Sequence, residues 1–183
     1  PYGGTQVYSS DFLPAVHQGT RVIPGDNPIA NLRSPDAGKA LQHQELDLLA
    51  KLNQQHFSSR PHDTALAARV KSFETAFQMQ QAFDVNSEPE SIRRLYGLDR
   101  KLKGPGADFG WQCLVARRLA ERGVRFIELI DTGSRPNWDS HGEMKEHADL
   151  AYNVDQPTAA LITDLKQRGM LDDTLVVWAT EFG

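Results

Sequence analysis

The chain has 183 residues, 39% of them hydrophobic, enough for one sizeable core, so a single domain is the expectation. Its formal net charge is -4, with Lys and Arg scattered rather than gathered into a stripe, which argues against nucleic acid as a partner. No run approaches the roughly 20 apolar residues of a membrane span, and a single cysteine, Cys113, excludes an internal disulfide.

The opening stretch, "PYGGTQVYSS", lacks the charged-then-apolar layout of a signal peptide. The chain starts without methionine and stops at Gly183, just after an apolar run, so it reads as an internal fragment of a longer protein. Residues 1–38 are rich in turn formers and predict loop, with one short extended candidate at 20–23 before Pro24 and Gly25.

From 40 to 56, Leu41, Leu48, Leu49 and Leu52 follow helical spacing. Arg60, Pro61, His62 and Asp63 break that helix. Leu66, Val70, Phe73, Ala76 and Phe77 then predict a second one as far as Phe83, with Asp63 as its cap. Residues 40–84 thus read as a helical insertion or covering helices on the core. A coiled-coil hairpin serving as an adaptor is the alternative, although the stripe carries no sustained heptads. A turn at 84–89, a short helix at 90–96 and a Gly/Pro loop at 101–108 follow.

A helix is expected from Phe109 to Arg122, stopped by Gly123, and then a strand over 124–130, "VRFIELI". The pattern recurs. A helix over 154–168, with Asp155 and Pro157 in its first turn, stops at Gly169, and the apolar run 175–179 reads as a strand covered on both faces. Strand, helix, strand in this order predicts a parallel crossover unit and an α/β fold.

Ligands collect beyond the carboxyl ends of such strands. Two loops would meet there: 131–142, containing "NWDSHG", and the stretch from Thr180 onward. If the strands are neighbours, the loop starts lie about 5 to 10 Å apart. Asp139, His141 and Glu181 could then converge as ligands of a divalent metal ion, with positions left for water or substrate. Such an ion would polarise a phosphoryl or sulfuryl oxygen. The spacing equally fits a turn-stabilising Asp beside an exposed His.

His147 is a further ligand or a solvated helix residue, Asp131 a ligand-side acceptor or an ordinary cap, and Trp138 a lid or ordinary packing. Cys113, in an apolar setting, reads as a buried structural thiol rather than a nucleophile. His43, His56 and His62 have no second ligand at metal-binding spacing.

The segments "FLPAVHQGT", "RPHDTALAARVKSFETAFQMQ", "CLVARRLAERGVRFIEL", "NWDSHGEMK" and "DLKQRGMLDDTLVVWATEFG", in this order, resemble the DUF1501 family, related to the sulfatase and alkaline phosphatase superfamily. The resemblance implies a three-layer α/β/α fold with a mostly parallel sheet. It further implies metal ligands at Asp139 and His141 and an acid at Glu181, with Zn, Ca or Mn as the ion and a small-molecule or glycan sulfate or phosphate ester as substrate. Where the superfamily has an Asp-His pair, this chain has Glu181-Phe182. A phenyl ring cannot coordinate a cation, which leaves a single-metal site of the sulfatase kind and argues against a complete two-metal centre. The resemblance places the nucleophile and a twin-arginine export signal upstream of Pro1. A catalytically inactive member acting as a binding or scaffolding module is the competing expectation.

Overall fold

The computed structural model describes residues 19–25, 27–29, 39–59, 70, 75, 79–103, 108–131, 138, 142 and 144–179. The chain divides into two compact units, Pro1–Gln81 and Ala82–Gly183.

In the first unit, a turn closed by Ile23 N donating to Pro28 O at 2.8 Å precedes helix α1, Lys39–Ser59. The helix expected there is present. Its leucines Leu41, Leu48, Leu49 and Leu52 are about half exposed. Of the expected second helix, Val70 and Thr75 are helical and Met79 N donates to Thr75 O at 2.9 Å; the rest, with His62 and Asp63, lies outside the described residues.

Among the described residues, the α-helices of the second unit are α2, Glu90–Leu95; α3, Phe109–Glu121; and α4, His147–Gln167. Asp108 caps α3, its Oδ1 accepting from Trp111 N at 2.9 Å. Gly123 and Gly169 follow the last turns of α3 and α4 at φ 83° and 68°. Val124 N donates to Leu119 O and Met170 N to Leu165 O, each across six residues, so both helices end in a Schellman turn that requires a left-handed residue. These two stops are where the sequence puts them.

The start of α4 is not. The helix begins at His147, seven residues before the expected 154, and carries Pro157 inside it rather than in its first turn. Leu150 and Val154 extend the apolar face backward by one turn, and Pro157 is buried. That packing offsets the roughly 3 kcal/mol an interior proline costs a helix.

Leu114, Cys113 and Val115 of α3 pack with Leu150, Val154, Ala160 and Leu165 of α4 in a core that also buries Tyr96. Phe83 stacks on Trp111 with ring centroids 6.5 Å apart. A charged seam runs through this core. Arg117, 1% exposed, lies 3.0 Å by its Nε from Asp164 Oδ2 and 3.0 Å by Nη2 from Glu88 Oε1. Those two contacts are ion pairs without hydrogen-bond alignment. Its Nη1 donates to Glu121 Oε2 at 2.6 Å. Burial works against the Arg117 charge, but the Glu121 and Glu88 carboxylates outweigh it and hold the guanidinium above its ordinary pKa. Asp164 also accepts from Tyr96 Oη at 3.0 Å and from Arg168 Nε at 2.7 Å.

The expected three-layer fold with a parallel sheet is overturned: among the described residues there is no strand and no sheet. Residues 124–130 and 174–179 run irregularly, and the short candidate at 20–23 is irregular too. Phe126 is 84% and Leu175 88% exposed. Strand-forming composition becomes a strand only when a neighbouring backbone accepts its hydrogen bonds and a layer covers its side chains. Neither is present among the described residues, so the crossover unit is not formed.

Candidate functional site

The segment after α3 brings the chain to Asp131, and the chain re-enters the described structure at Trp138 before α4. The indole Nε1 of Trp138 donates to Asp131 Oδ2 at 2.8 Å. Its main-chain oxygen lies 3.1 Å from His147 Nε2, and the two rings stand 5.9 Å apart at 37°. A carbonyl oxygen only accepts, so Nε2 of His147 is the protonated nitrogen. The other ring nitrogen, Nδ1, is buried and, among the described residues, has no hydrogen-bond partner. The Nε2 of His147, at the start of α4, is thus engaged with the Trp138 carbonyl. Asp131 is an acceptor for the same residue.

Beside this triple, an open cleft of about 400 Å³ runs along α4, lined by Trp138, Ala151, Tyr152, Val154, Asp155, Thr158 and Trp178. Trp138 and Trp178 are 40% and 63% exposed, so both indoles remain accessible. Tyr152 is fixed from behind: the Arg100 guanidinium lies 3.7 Å from its ring centroid and the Lys103 ammonium 4.2 Å, while Arg100 Nε donates to Tyr152 Oη at 3.1 Å. Gln156 Nε2 ties α4 to α2 through the carbonyls of Arg94 and Leu95. Thr158 spends its hydroxyl on Val154 O at 2.7 Å, which leaves Asp155 as the exposed charged group on this wall.

Asp139, His141 and Glu181, the expected metal ligands, lie outside the described residues, as does Phe182. Among the described residues, no group of three or more His, Cys, Asp and Glu side chains is placed to hold a metal ion. No described helix is long and apolar enough to cross a membrane. His56 falls in the last turn of α1, and His43 lies on the same helix.

Cys113 is buried, and burial pushes its thiol up to about 12, with the charges of Asp108 and Asp131 adding in the same direction. A thiol so held is not a nucleophile near neutrality, which agrees with the structural role expected of it.

The partnership of Asp131, Trp138 and His147 was not among the expectations. Its partners stand seven and nine residues from the tryptophan but share no helix or strand with it, so no periodicity relates them, and the one hint is an indole donor in a polar stretch.

A family model described as "Protein of unknown function (DUF1501)" matches residues 1–183. Comparison with curated proteins and with solved structures gave no match.

Proposed function

Because the chain belongs to the DUF1501 family, matched over residues 1–183, we propose that it forms part of a metal-dependent hydrolase of sulfuric or phosphoric esters, and that it supplies metal ligands from Asp139, His141 and Glu181. The observation that carries this reading is the shared cleft: Trp138 and Trp178 both line it, beside residues of α4. Trp138 immediately precedes Asp139, and Glu181 follows Trp178 by three residues, at most about 11 Å of extended chain. The expected sheet rim is not there to unite these stretches, but the cleft supports the same convergence by another route.

Two carboxylates and an imidazole suit Zn, Ca or Mn, and such an ion supplies Lewis-acid polarisation of the ester oxygen. This chain's own residues would hold the ion and present an aromatic wall to the group that carries the ester, a small molecule or a glycan. Export to the periplasm belongs to the same proposal, and fractionation of cells producing the full-length protein tests it.

The deciding experiment is titration of the full-length protein with Zn, Ca and Mn while ester hydrolysis is followed. Asp139→Ala and His141→Ala should each abolish metal-dependent turnover. Wild-type metal binding and turnover in both variants would refute the proposal. Phe182 favours a second reading, an inactive member used as a binding module; it predicts ligand binding in the cleft with no ester hydrolysis under any of the three metals.

A further inference from the structure

We propose that the cleft along α4 is a subsite for an uncharged sugar, a mono- or disaccharide unit lying on the indoles of Trp138 and Trp178 with Asp155 accepting from a hydroxyl. This deepens the substrate part of the reading above, and rests on it for the sugar's link to an ester. The side chains it uses are all among the described residues, and no metal ion takes part. At about 400 Å³ the cleft lies toward the lower end of small-ligand sites.

The two indoles, 40% and 63% exposed, offer broad apolar faces, and that of Trp138 is held in place by its Nε1 bond to Asp131 at 2.8 Å. A ring already fixed loses little conformational freedom when a ligand lies on it. Because the cleft is open, a wholly apolar molecule would keep much of its surface in water, whereas small-molecule sites bury about 70–90% of their ligand. A sugar suits an open site. The C–H face of its ring packs on an indole while its hydroxyls stay with water or reach Asp155.

Charge narrows the choice. Among the described residues, the exposed charged group lining the cleft is the Asp155 carboxylate, which repels a sulfate or phosphate but accepts from a hydroxyl. Organic cations are disfavoured for another reason: the Tyr152 ring already carries Arg100 at 3.7 Å and Lys103 at 4.2 Å from its centroid, so two positive charges stand against it. A neutral, hydroxyl-bearing ligand meets neither penalty. On the ester reading, the charged group then sits outside the cleft and the cleft holds the sugar beside it.

The test titrates the full-length protein, in EDTA, with maltose, cellobiose, xylobiose and diacetylchitobiose, followed by tryptophan fluorescence and by saturation-transfer NMR of the sugar protons. Glucose sulfate and tetramethylammonium serve as charged comparisons. At least one neutral disaccharide should bind at millimolar concentration or below. Trp178→Ala and Asp155→Ala should each weaken it about 10-fold, and Trp178→Tyr, which keeps a stacking face, should recover part of the loss. Both residues are exposed, so the fold does not depend on them. Failure of all four disaccharides to bind, or binding that neither substitution moves, overturns the subsite and leaves the metal reading to its own titration. Tighter binding of glucose sulfate than of the neutral sugars, or binding of tetramethylammonium alone, overturns it as well. Sugar binding in EDTA without ester hydrolysis under Zn, Ca or Mn upholds the subsite and sinks the ester reading alone.

Discussion

Asp164 shows how much can hang on one side chain. It is 1% exposed and faces Arg117, Arg168 and the Tyr96 hydroxyl at once. Removing it leaves Arg117 buried with only Glu88 and Glu121 and strands the Tyr96 donor. Asp164→Ala should therefore cost about 3 to 5 kcal/mol, the range for breaking a buried pair from one side, read as a lower urea midpoint at unchanged slope. A cost below about 1 kcal/mol, the worth of an exposed pair, would mean the seam is wetter than its burial implies. Two neighbouring groups set an alkaline limit. Burial raises both the Cys113 thiol, from 9.0 to about 12, and the Tyr96 phenol, the latter helped by the charge and hydrogen bond of Asp164 and opposed by Arg117. Both stay protonated in the folded state at a pH where the unfolded chain releases the proton. The stability they contribute is complete below about pH 9 and is lost as pH rises toward the folded values. Urea midpoints from pH 8 to 10.5 should fall, and Cys113→Ala should make that fall shallower.

Among the elements, α3 rests on its cap and α4 on its packing. The Asp108 carboxylate satisfies the amide of Trp111 and lies at the positive end of the helix. Asp108→Ala should cost about 1 kcal/mol, and Asp108→Asn, which keeps an acceptor oxygen, much less; equal losses in the two thermal melts would show the cap to be idle. The same helices show what could be read in advance. Gly123 and Gly169 were legible as stops because a left-handed residue after the last turn has a strong chemical preference. The start of α4 was not, since Asp155 and Pro157 mimic a first turn and only the packing of Leu150 and Val154 shows the helix running through them. Residues 124–130 and 175–179 misled for a different reason. Their composition states a preference for extended backbone, but a sheet is a property of several segments together, and propensity does not supply the neighbours.

For the molecule as a whole, the second unit gathers its order on the α3–α4 pair and leaves two apolar stretches uncovered. Of the candidate site, Asp131, Trp138 and His147 could be named from the sequence, but their mutual bonds could not, because contacts across a loop obey no period. The metal ligands Asp139, His141 and Glu181 remain a proposal. This distribution of order has a consequence for amide exchange. Leu114 and Leu165 sit in hydrogen-bonded helix and are at most 1% exposed, whereas Phe126, Leu175, Val177 and Trp178 are 84%, 88%, 71% and 63% exposed. Opening the helices means breaking the buried seam, so their amides should exchange only at the free energy of unfolding the unit. Amides of 125–130 and 175–178 have no such barrier and should exchange within the fastest class. Exchange followed by mass spectrometry on the isolated chain would show this as a contrast of several orders of magnitude between the two classes. Equal protection of 125–130 and of α3 would mean that those amides do have backbone partners, and the helical description of the unit would have to be given up.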